Sequence, residues 1–382
     1  NLKLAKELLN SGCRKYCDSF SCVCPVTEEA IQKVVDVLRS GNLVQGKEVL
    51  LLEEKIADHI GVKHAICLSS GTATLHLSLI ALGIGYGDEV IVPAFSYVAT
   101  ANVVELVGAT PVFVDIELAT FNIDVLQIEQ AITPKTKAII PVHEFGLAAE
   151  ISYLMEIARK NKLFVIEDAA CALGARENDQ MVGSFGDLGS FSFHPRKAIT
   201  SGEGGIVSTN NDKLANEIRI LRNHGIEING TKMNFVRAGF NYRMTDFQAA
   251  LVGSQFNKLE TILAYKQQLA QIYLNEIKHT QIRLPIVPDN KYHSWQTFHL
   301  LLESEKRRDE LKEYLKVNKI MTNYGAQCIP NMTYYQEKYE NDSIAKFSNA
   351  YMAFTCGLAI PLYDLLSKEQ IIYISKTINN FK

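Results

Sequence analysis

Short apolar runs alternate with longer, helix-like segments along most of the chain, from Pro25 onward. In chain order, the apolar runs are HAICLSS, DEVIVPA, TPVFVDI, KAIIPVH, KLFVIED, GSFSFH and GGIVSTN. Several of them are apolar nearly throughout, which is typical of strands that helices cover on both faces. Strands that alternate with helices predict an α/β fold with a mostly parallel sheet.

The segments before and after these runs have helical periodicity. TEEAIQKVVDVLRSG starts with Thr27 as a candidate N-cap and ends at a glycine, as does EVLLLEEKIADHIG. After about Gln248, FQAALVGSQFNKLETILAYKQQLAQIYLNEI predicts one long, bent helix that leaves the sheet. Beyond it, SWQTFHLLLE predicts a strand, and RRDELKEYLKVN and SKEQIIYISKTIN predict helices.

These patterns predict three regions in the 382-residue chain, which is longer than one hydrophobic core usually supports. Residues 1–25 form an N-terminal extension, residues 26–250 a large α/β domain, and residues 251–382 a small α+β domain. Hydrophobic residues make up 47% and charged residues 21%, which is typical of a globular enzyme.

Charge and hydropathy exclude several classes of partner. The formal net charge of −3 argues against nucleic-acid binding, because such domains are normally basic. No apolar run is long enough to cross a bilayer, and the N-terminus lacks the layout of a signal peptide. A cytoplasmic protein without a membrane partner is therefore expected.

Four of the eight cysteines lie close together near the N-terminus, at Cys13, Cys17, Cys22 and Cys24. Thiolates are the usual ligands of zinc and of iron–sulfur clusters. Their spacing lacks paired C-x-x-C arms, and no histidine lies nearby, so reduced thiols are the simpler interpretation. We predict no metal site.

In a parallel α/β sheet, ligands bind beyond the carboxyl ends of the strands. After HAICL, the residues Gly71, Thr72 and Ala73 open a helix whose free amides can bind an anion such as phosphate. An ordinary capped helix explains the same residues. After the second apolar run, Tyr97 can lie flat on a planar ligand, although core packing also explains an aromatic residue there.

Asp168 and Lys197 follow two later strands. Asp168, in EDAACALGA, is either a helix N-cap or the counter-ion of a protonated ring nitrogen. Lys197, in FSFHPRKAITSGEGG, needs a reason to lie among apolar strands, and forming a Schiff base with an aldehyde is one. Pyridoxal 5′-phosphate has the aldehyde, ring nitrogen, planar ring and phosphate that these residues together would bind.

Several motifs in order resemble the DegT/DnrJ/StrS family of nucleotide-sugar aminotransferases, which are pyridoxal phosphate enzymes of fold type I. They are EDAA, GSFSFH followed by Lys197, SGEGG, LRNHG and GFNYRMTDFQAA, and the resemblance runs from about Thr27 to the C-terminus. It implies transfer of an amino group, usually from L-glutamate, to a keto-deoxy sugar on a nucleotide diphosphate. Amino-sugar and cell-surface polysaccharide biosynthesis is the expected setting.

The resemblance also implies roles for individual residues. Lys197 matches the Schiff-base lysine and proton carrier, and Asp168 matches the partner of the ring nitrogen. Ser192 matches a phosphate ligand, and Tyr97 the aromatic residue that stacks on the ring. Asn241 matches an asparagine that reaches the phosphate of the neighbouring subunit, so a homodimer with shared active sites is expected.

Two places depart from the family pattern: Cys171, and the segment TNYGAQCIPNMTYY, which lacks the histidine often found there and leaves the sugar-facing contacts open. Cys171 stands where relatives often have Gln or His to contact the ring hydroxyl, and a thiol is a weak donor.

A related class of sugar dehydratases has histidine at the Schiff-base position, so Lys197 favours transamination. A keto-cyclitol acceptor, or a non-catalytic protein on the same scaffold, remains possible from the sequence. A dinucleotide-binding dehydrogenase lacks its G-x-G-x-x-G after the first strand.

Overall fold

The computed structural model describes residues 26–339 and 343–382, so the N-terminal extension and its four cysteines lie outside the described residues. The strands are β1 (His64–Leu68), β2 (Glu89–Pro93), β3 (Phe95–Ser96), β4 (Thr110–Val114), β5 (Thr136–Ile139), β6 (Phe164–Asp168), β7 (Arg176–Glu177), β8 (Gln180–Met181), β9 (Leu188–Ser192), β10 (Gly205–Thr209), β11 (Ile226–Asn229), β12 (Lys232–Phe235), β13 (Ile282–Arg283), β14 (Lys291–Tyr292), β15 (Phe298–Leu302), β16 (Gln327–Cys328) and β17 (Gly357–Ile360).

The helices alternate with groups of these strands along the chain. They are α1 (Glu28–Ser40), α2 (Lys47–Ile60), α3 (Gly71–Ala81), α4 (Ala99–Leu106), α5 (Val125–Ala131), α6 (Ile151–Asn161), α7 (Asp212–Arg222), α8 (Asp246–Phe256), α9 (Leu259–Glu276), α10 (Glu305–Val317), α11 (Thr333–Tyr339), α12 (Ser343–Lys346), α13 (Ser348–Thr355) and α14 (Lys368–Asn379). Among the described residues, no helix combines the length and apolarity that crossing a lipid bilayer requires.

The seven predicted apolar runs form one seven-stranded sheet in the order β1-β10-β9-β6-β5-β2-β4. The four pairs from β9 to β4 are parallel, whereas β10 runs antiparallel to both of its neighbours. The predicted α/β fold with a mostly parallel sheet is therefore confirmed.

Alternate residues of each strand enter different cores, because successive side chains of a strand point to opposite faces. In β1, Ile66 and Leu68 join the core beneath α3 and α4, whereas Ala65 and Cys67 join the core beneath α2. All four side chains are nearly inaccessible to solvent. Burial on both faces explains why these runs are apolar nearly throughout.

The first helix begins and ends as its sequence predicts. The Thr27 hydroxyl accepts a hydrogen bond from the Ala30 amide at 3.3 Å, and acidic residues occupy the first turn. Gly41 ends the helix with φ of 73°, a left-handed conformation that costs glycine little.

The prediction of one long helix after Gln248 is wrong, because α8 ends at Phe256 and α9 begins at Leu259. The Lys258 amide donates to the Gln255 carbonyl at 2.9 Å and closes the turn between them. The apolar residues change from one core to the other within α9, after the break. Val252 and Leu259 pack with the large sheet, whereas Tyr273 packs with the smaller one.

The smaller sheet has the order β13-β15-β17, is antiparallel, and is covered by α9, α10 and α14. Later segments nevertheless return to the large core, where Cys328, Tyr335 and Ala350 pack. The division of the chain at residue 250 therefore stays a prediction.

Candidate active site

Asp168 and Ser192 end two neighbouring parallel strands, β6 and β9, and so lie at the same edge of the sheet. Lys197 follows in the loop after β9, where its amide donates to the His194 carbonyl at 2.9 Å. The topology thus brings together three residues that the sequence predicts for the site, as expected at the carboxyl edge of a parallel sheet.

Asp168 is buried, with 5% of its surface exposed. The Thr100 hydroxyl donates to its Oδ2 at 2.9 Å, and the Ala170 amide donates to its Oδ1 at 3.2 Å. Burial raises the pKa of Asp168, while these two hydrogen bonds and the charge of Lys197 act in the opposite direction. A positively charged group bound against this carboxyl would favour its ionised form further.

The amine of Lys197 donates to the Sγ of Cys171 at 2.9 Å. Both residues line a small cavity together with Ser192, Ser294 and Gln296. Burial raises the pKa of the Cys171 thiol, although the charge of Lys197 acts against that rise. Cys171, which departs from the family pattern, therefore lies directly beside the predicted reactive amine.

The start of α3 lies against the end of β9. A Cβ at Gly71 would stand 2.8 Å from the Cβ of Ser192, so only glycine allows this approach. The amides of Gly71 and Thr72 have no intrahelical acceptor, whereas the Ser70 hydroxyl accepts from the Ala73 amide at 3.1 Å. The arrangement offers backbone amides and a hydroxyl at one place, which suits a phosphate.

Tyr97 and Asn241 lie at the surface near these residues. Tyr97 follows β3 and is 59% exposed. Asn241 is exposed, and the carbonyl of the adjacent Tyr242 accepts from the Ser69 amide at 2.9 Å, next to the start of α3. The stacking of Tyr97 on a ring and the reach of Asn241 to a second subunit stay predictions.

The sequence did not lead us to predict the hydrogen-bond network around Glu167, the residue before Asp168 in β6. Glu167 is fully buried and accepts hydrogen bonds from the amides of Gly183, Phe185 and Gly186, each at 2.8 Å. His143 Nδ1 accepts from the Ala149 amide, so its Nε2 carries the hydrogen and donates to Glu167 at 3.0 Å. A carboxylate inside the apolar run KLFVIED is the signal that could have predicted this network.

Glu167→Gln is expected to lower the free energy of unfolding by about 2–4 kcal/mol, because the new amide group cannot accept from all of these donors. Urea unfolding followed by circular dichroism would measure the change. Glu156→Gln, on the exposed face of α6, is the matched control and should change stability little. Equal stability of both variants would show that the network does not anchor the end of β6.

The chain matches the model of the DegT/DnrJ/EryC1/StrS aminotransferase family over residues 25–379, and it belongs to this family. It is therefore a pyridoxal phosphate-dependent aminotransferase of fold type I. The residues at the sheet edge fit that cofactor, since they offer an amine beside a cavity, a buried carboxyl and a helix start that lies against the Ser192 side chain.

Similar proteins come from bacteria and archaea. The uncharacterized protein MJ1066 of Methanocaldococcus jannaschii is 37% identical over 360 residues, covering 91% of this chain and 93% of that one. The GDP-perosamine synthase of Escherichia coli O157:H7 is 36% identical over 337 residues, covering 88% and 91%. The sugar aminotransferase Spr1654 of Streptococcus pneumoniae, described as putative and solved in its PMP form, superposes with a TM-score of 0.91 at 30% identity, covering 95% and 99%.

Proposed function

We propose that this aminotransferase moves an amino group from an amino acid, in our proposal L-glutamate, to a keto-deoxy sugar on a nucleotide diphosphate. The observation that carries the proposal is the Lys197 amine beside Cys171, in a cavity at the edge where Asp168 and Ser192 end their strands. Similarity to a GDP-perosamine synthase over most of both chains supports a nucleotide-sugar acceptor.

Pyridoxal phosphate, when bound, supplies an aldehyde that takes up the amino group and a ring that accepts electrons. In this proposal Lys197 holds the aldehyde carbon covalently and then moves a proton between carbon atoms of the cofactor and the substrate. Asp168 keeps a proton on the ring nitrogen, for which its buried position at the strand end is suited.

The remaining residues are proposed to bind and orient. The amides of Gly71, Thr72 and Ala73 and the Ser192 hydroxyl hold the phosphate at the start of α3. Tyr97 covers one face of the cofactor ring. The tyrosine ring itself is exposed in the single chain and so is accessible for this contact. Asn241 completes the phosphate site of a second subunit in a homodimer, and the product enters amino-sugar and cell-surface polysaccharide biosynthesis.

A panel of acceptors tests the substrate class. The full chain, loaded with pyridoxal phosphate and supplied with L-glutamate, would receive GDP-, UDP- and dTDP-linked 3-keto and 4-keto-deoxy hexoses and, separately, keto-inositols. Release of 2-oxoglutarate measures turnover. We expect kcat/KM for one nucleotide-linked sugar to exceed that for the keto-inositols by about 100-fold or more. Preference for a keto-inositol would contradict the nucleotide-sugar assignment but not the aminotransferase chemistry.

The non-catalytic alternative is tested by L-glutamate without an acceptor. An active enzyme is expected to transfer the amino group to its cofactor once, which shifts the visible absorbance and releases one equivalent of 2-oxoglutarate. A cofactor-loaded protein whose absorbance does not change with any amino donor would favour the non-catalytic scaffold.

A further inference from the structure

The segment TNYGAQCIPNMTYY, whose sugar-facing contacts the sequence leaves open, links the two sheets of the protein. Near its start, the Asn323 amide donates to the carbonyl of Ala359 in β17 at 3.0 Å, and the Ala359 amide donates back at 2.7 Å. Further along, the Ile329 amide donates to the Ala94 carbonyl, between β2 and β3, at 2.8 Å. The segment is therefore fixed to the smaller sheet at one end and to the large sheet at the other.

Between these contacts, β16 pairs with β3, and the antiparallel register places Gln327 directly opposite Ser96. Residues that lie opposite each other in a strand pair have their side chains on the same face. On that face, Ser96 Oγ hydrogen-bonds with Thr100 Oγ1 at 3.1 Å, and the Thr100 hydroxyl donates to Asp168 Oδ2 at 2.9 Å. Two hydrogen bonds thus connect the residue opposite Gln327 with the buried carboxyl of the candidate active site.

The side chain of Gln327 has an unused acceptor at this place. Its Oε1 is buried and has no hydrogen-bond partner among the described residues. The Ser96 hydroxyl cannot supply one, because Thr100 gives its own hydrogen to Asp168 and so must accept from Ser96. Buried side-chain oxygens nearly always have a partner, so this atom is explained by a bound water or by a ligand that brings a donor.

The chemistry of an amide indicates which ligand group fits Gln327. An amide carries no charge and offers both a donor and an acceptor, whereas phosphates and carboxylates only accept. The residue is only partly buried, and rotation about its last side-chain torsion turns either Oε1 or Nε2 outward. A hydroxyl group, which also donates and accepts, pairs with either orientation. The acceptor sugar has such groups on its ring, while L-glutamate has none.

We propose that Gln327 is a specificity-determining residue that binds a ring hydroxyl of the acceptor sugar. The contact lies beside Ser96, next in the chain to Tyr97, which is proposed to cover the cofactor ring. The assignment rests on the proposed function and deepens it, because it names one residue that recognises the sugar itself rather than the nucleotide or the amino donor.

Gln327→Leu tests the proposal, since leucine has a similar size but forms no hydrogen bond. For the nucleotide-linked keto-deoxy hexose that the wild type uses best, we expect kcat/KM to fall by about tenfold or more, mainly through a higher KM. The absorbance change with L-glutamate alone should keep its wild-type rate. Gln130→Leu, which replaces an exposed glutamine of α5, is the matched control and should change neither value.

Binding gives a readout that does not depend on turnover. The protein, loaded with pyridoxal phosphate and without an amino donor, is titrated calorimetrically with that nucleotide sugar and, separately, with the same nucleoside diphosphate alone. In Gln327→Leu, Kd for the nucleotide sugar should rise by about tenfold, whereas Kd for the nucleoside diphosphate should stay unchanged. An equal rise of both Kd values would contradict a contact with the sugar ring.

Thermal unfolding separates recognition from support of the fold. Leucine removes a buried oxygen that has no partner, so Gln327→Leu should not lower Tm. A lower Tm together with equal losses in the glutamate and acceptor reactions would assign Gln327 to the fold and overturn the proposal. Should Gln327→Leu not fold, Gln327→Met, with an unbranched side chain of similar length, is expected to give the same pattern.

The remaining outcomes distinguish this assignment from the proposed function. Wild-type acceptor kinetics and Kd in folded Gln327→Leu would overturn the assignment alone, and a water would then be the partner of Gln327. If the wild type preferred a keto-inositol, the nucleotide-sugar proposal would fail, while the same variant would test the hydroxyl contact on that acceptor. A wild type that uses no acceptor would overturn both.

Discussion

Lys197→Ala is expected to remove both the visible absorbance of the cofactor-loaded protein and its turnover, the latter by about four orders of magnitude or more. Alanine has no amine to hold the cofactor covalently or to carry a proton between carbon atoms. Absorbance spectra after dialysis against pyridoxal phosphate, with release of 2-oxoglutarate from L-glutamate, would measure both effects.

The matched control is Lys213→Ala, which removes an exposed lysine at the start of α7 and should keep both properties. Substituting Lys197 also leaves the thiol of Cys171 without its 2.9 Å partner, so folding should be checked by circular dichroism. Transamination at the wild-type rate by a folded Lys197→Ala protein would refute the assignment of the reactive amine.

The sheet was predictable because its strands are buried on both faces. KLFVIED and GGIVSTN are apolar over most of their length, and both became strands of the central sheet within one or two residues of the predicted runs. The reversed direction of β10 could not be predicted, since strand direction depends on pairing with β1 and β9 rather than on local pattern.

The break between α8 and α9 shows where local pattern is insufficient. Helical periodicity continues through Asn257 and Lys258, and neither is a glycine or a proline. Val252 before the break and Leu259 after it pack in the same core, whereas the change to the core of the smaller sheet comes later, within α9, where Tyr273 packs. The local pattern shows neither the two-residue break nor the change of core within α9.

Candidate site residues could be predicted from the sequence where they follow strands. They could not be predicted where contacts with distant parts of the chain decide their surroundings. Asp168 ends the predicted run KLFVIED and Ser192 lies near the end of GSFSFH, so their proximity follows from the parallel sheet. Glu144 follows the fourth apolar run, KAIIPVH, as an ordinary acidic residue, yet it is buried. Ser294 and Gln296 reach the same turn from about 150 residues later in the chain, where their amides donate to the Gly146 and Phe145 carbonyls.

Asp168→Asn is expected to lower kcat/KM by about a thousandfold while the protein still binds pyridoxal phosphate. Asparagine preserves the shape of the side chain and its place at the end of β6, but it carries no negative charge to hold a proton on the ring nitrogen. Lys197 and the amides at the start of α3 are unchanged, so the visible band should persist. Steady-state kinetics and cofactor occupancy measured on one preparation would separate the two effects.

Thr100→Val provides a graded comparison, because it removes the 2.9 Å hydrogen bond to Asp168 Oδ2 and leaves the charge in place. We expect kcat/KM to fall by about tenfold, since one hydrogen bond to a charged group contributes about 1.5–3 kcal/mol. The control is Asp179→Asn, at an exposed turn between β7 and β8, which should leave kcat/KM unchanged. If Asp168→Asn lost no more activity than Thr100→Val, the carboxyl would serve the packing of the strand end, and the ring nitrogen would need another partner.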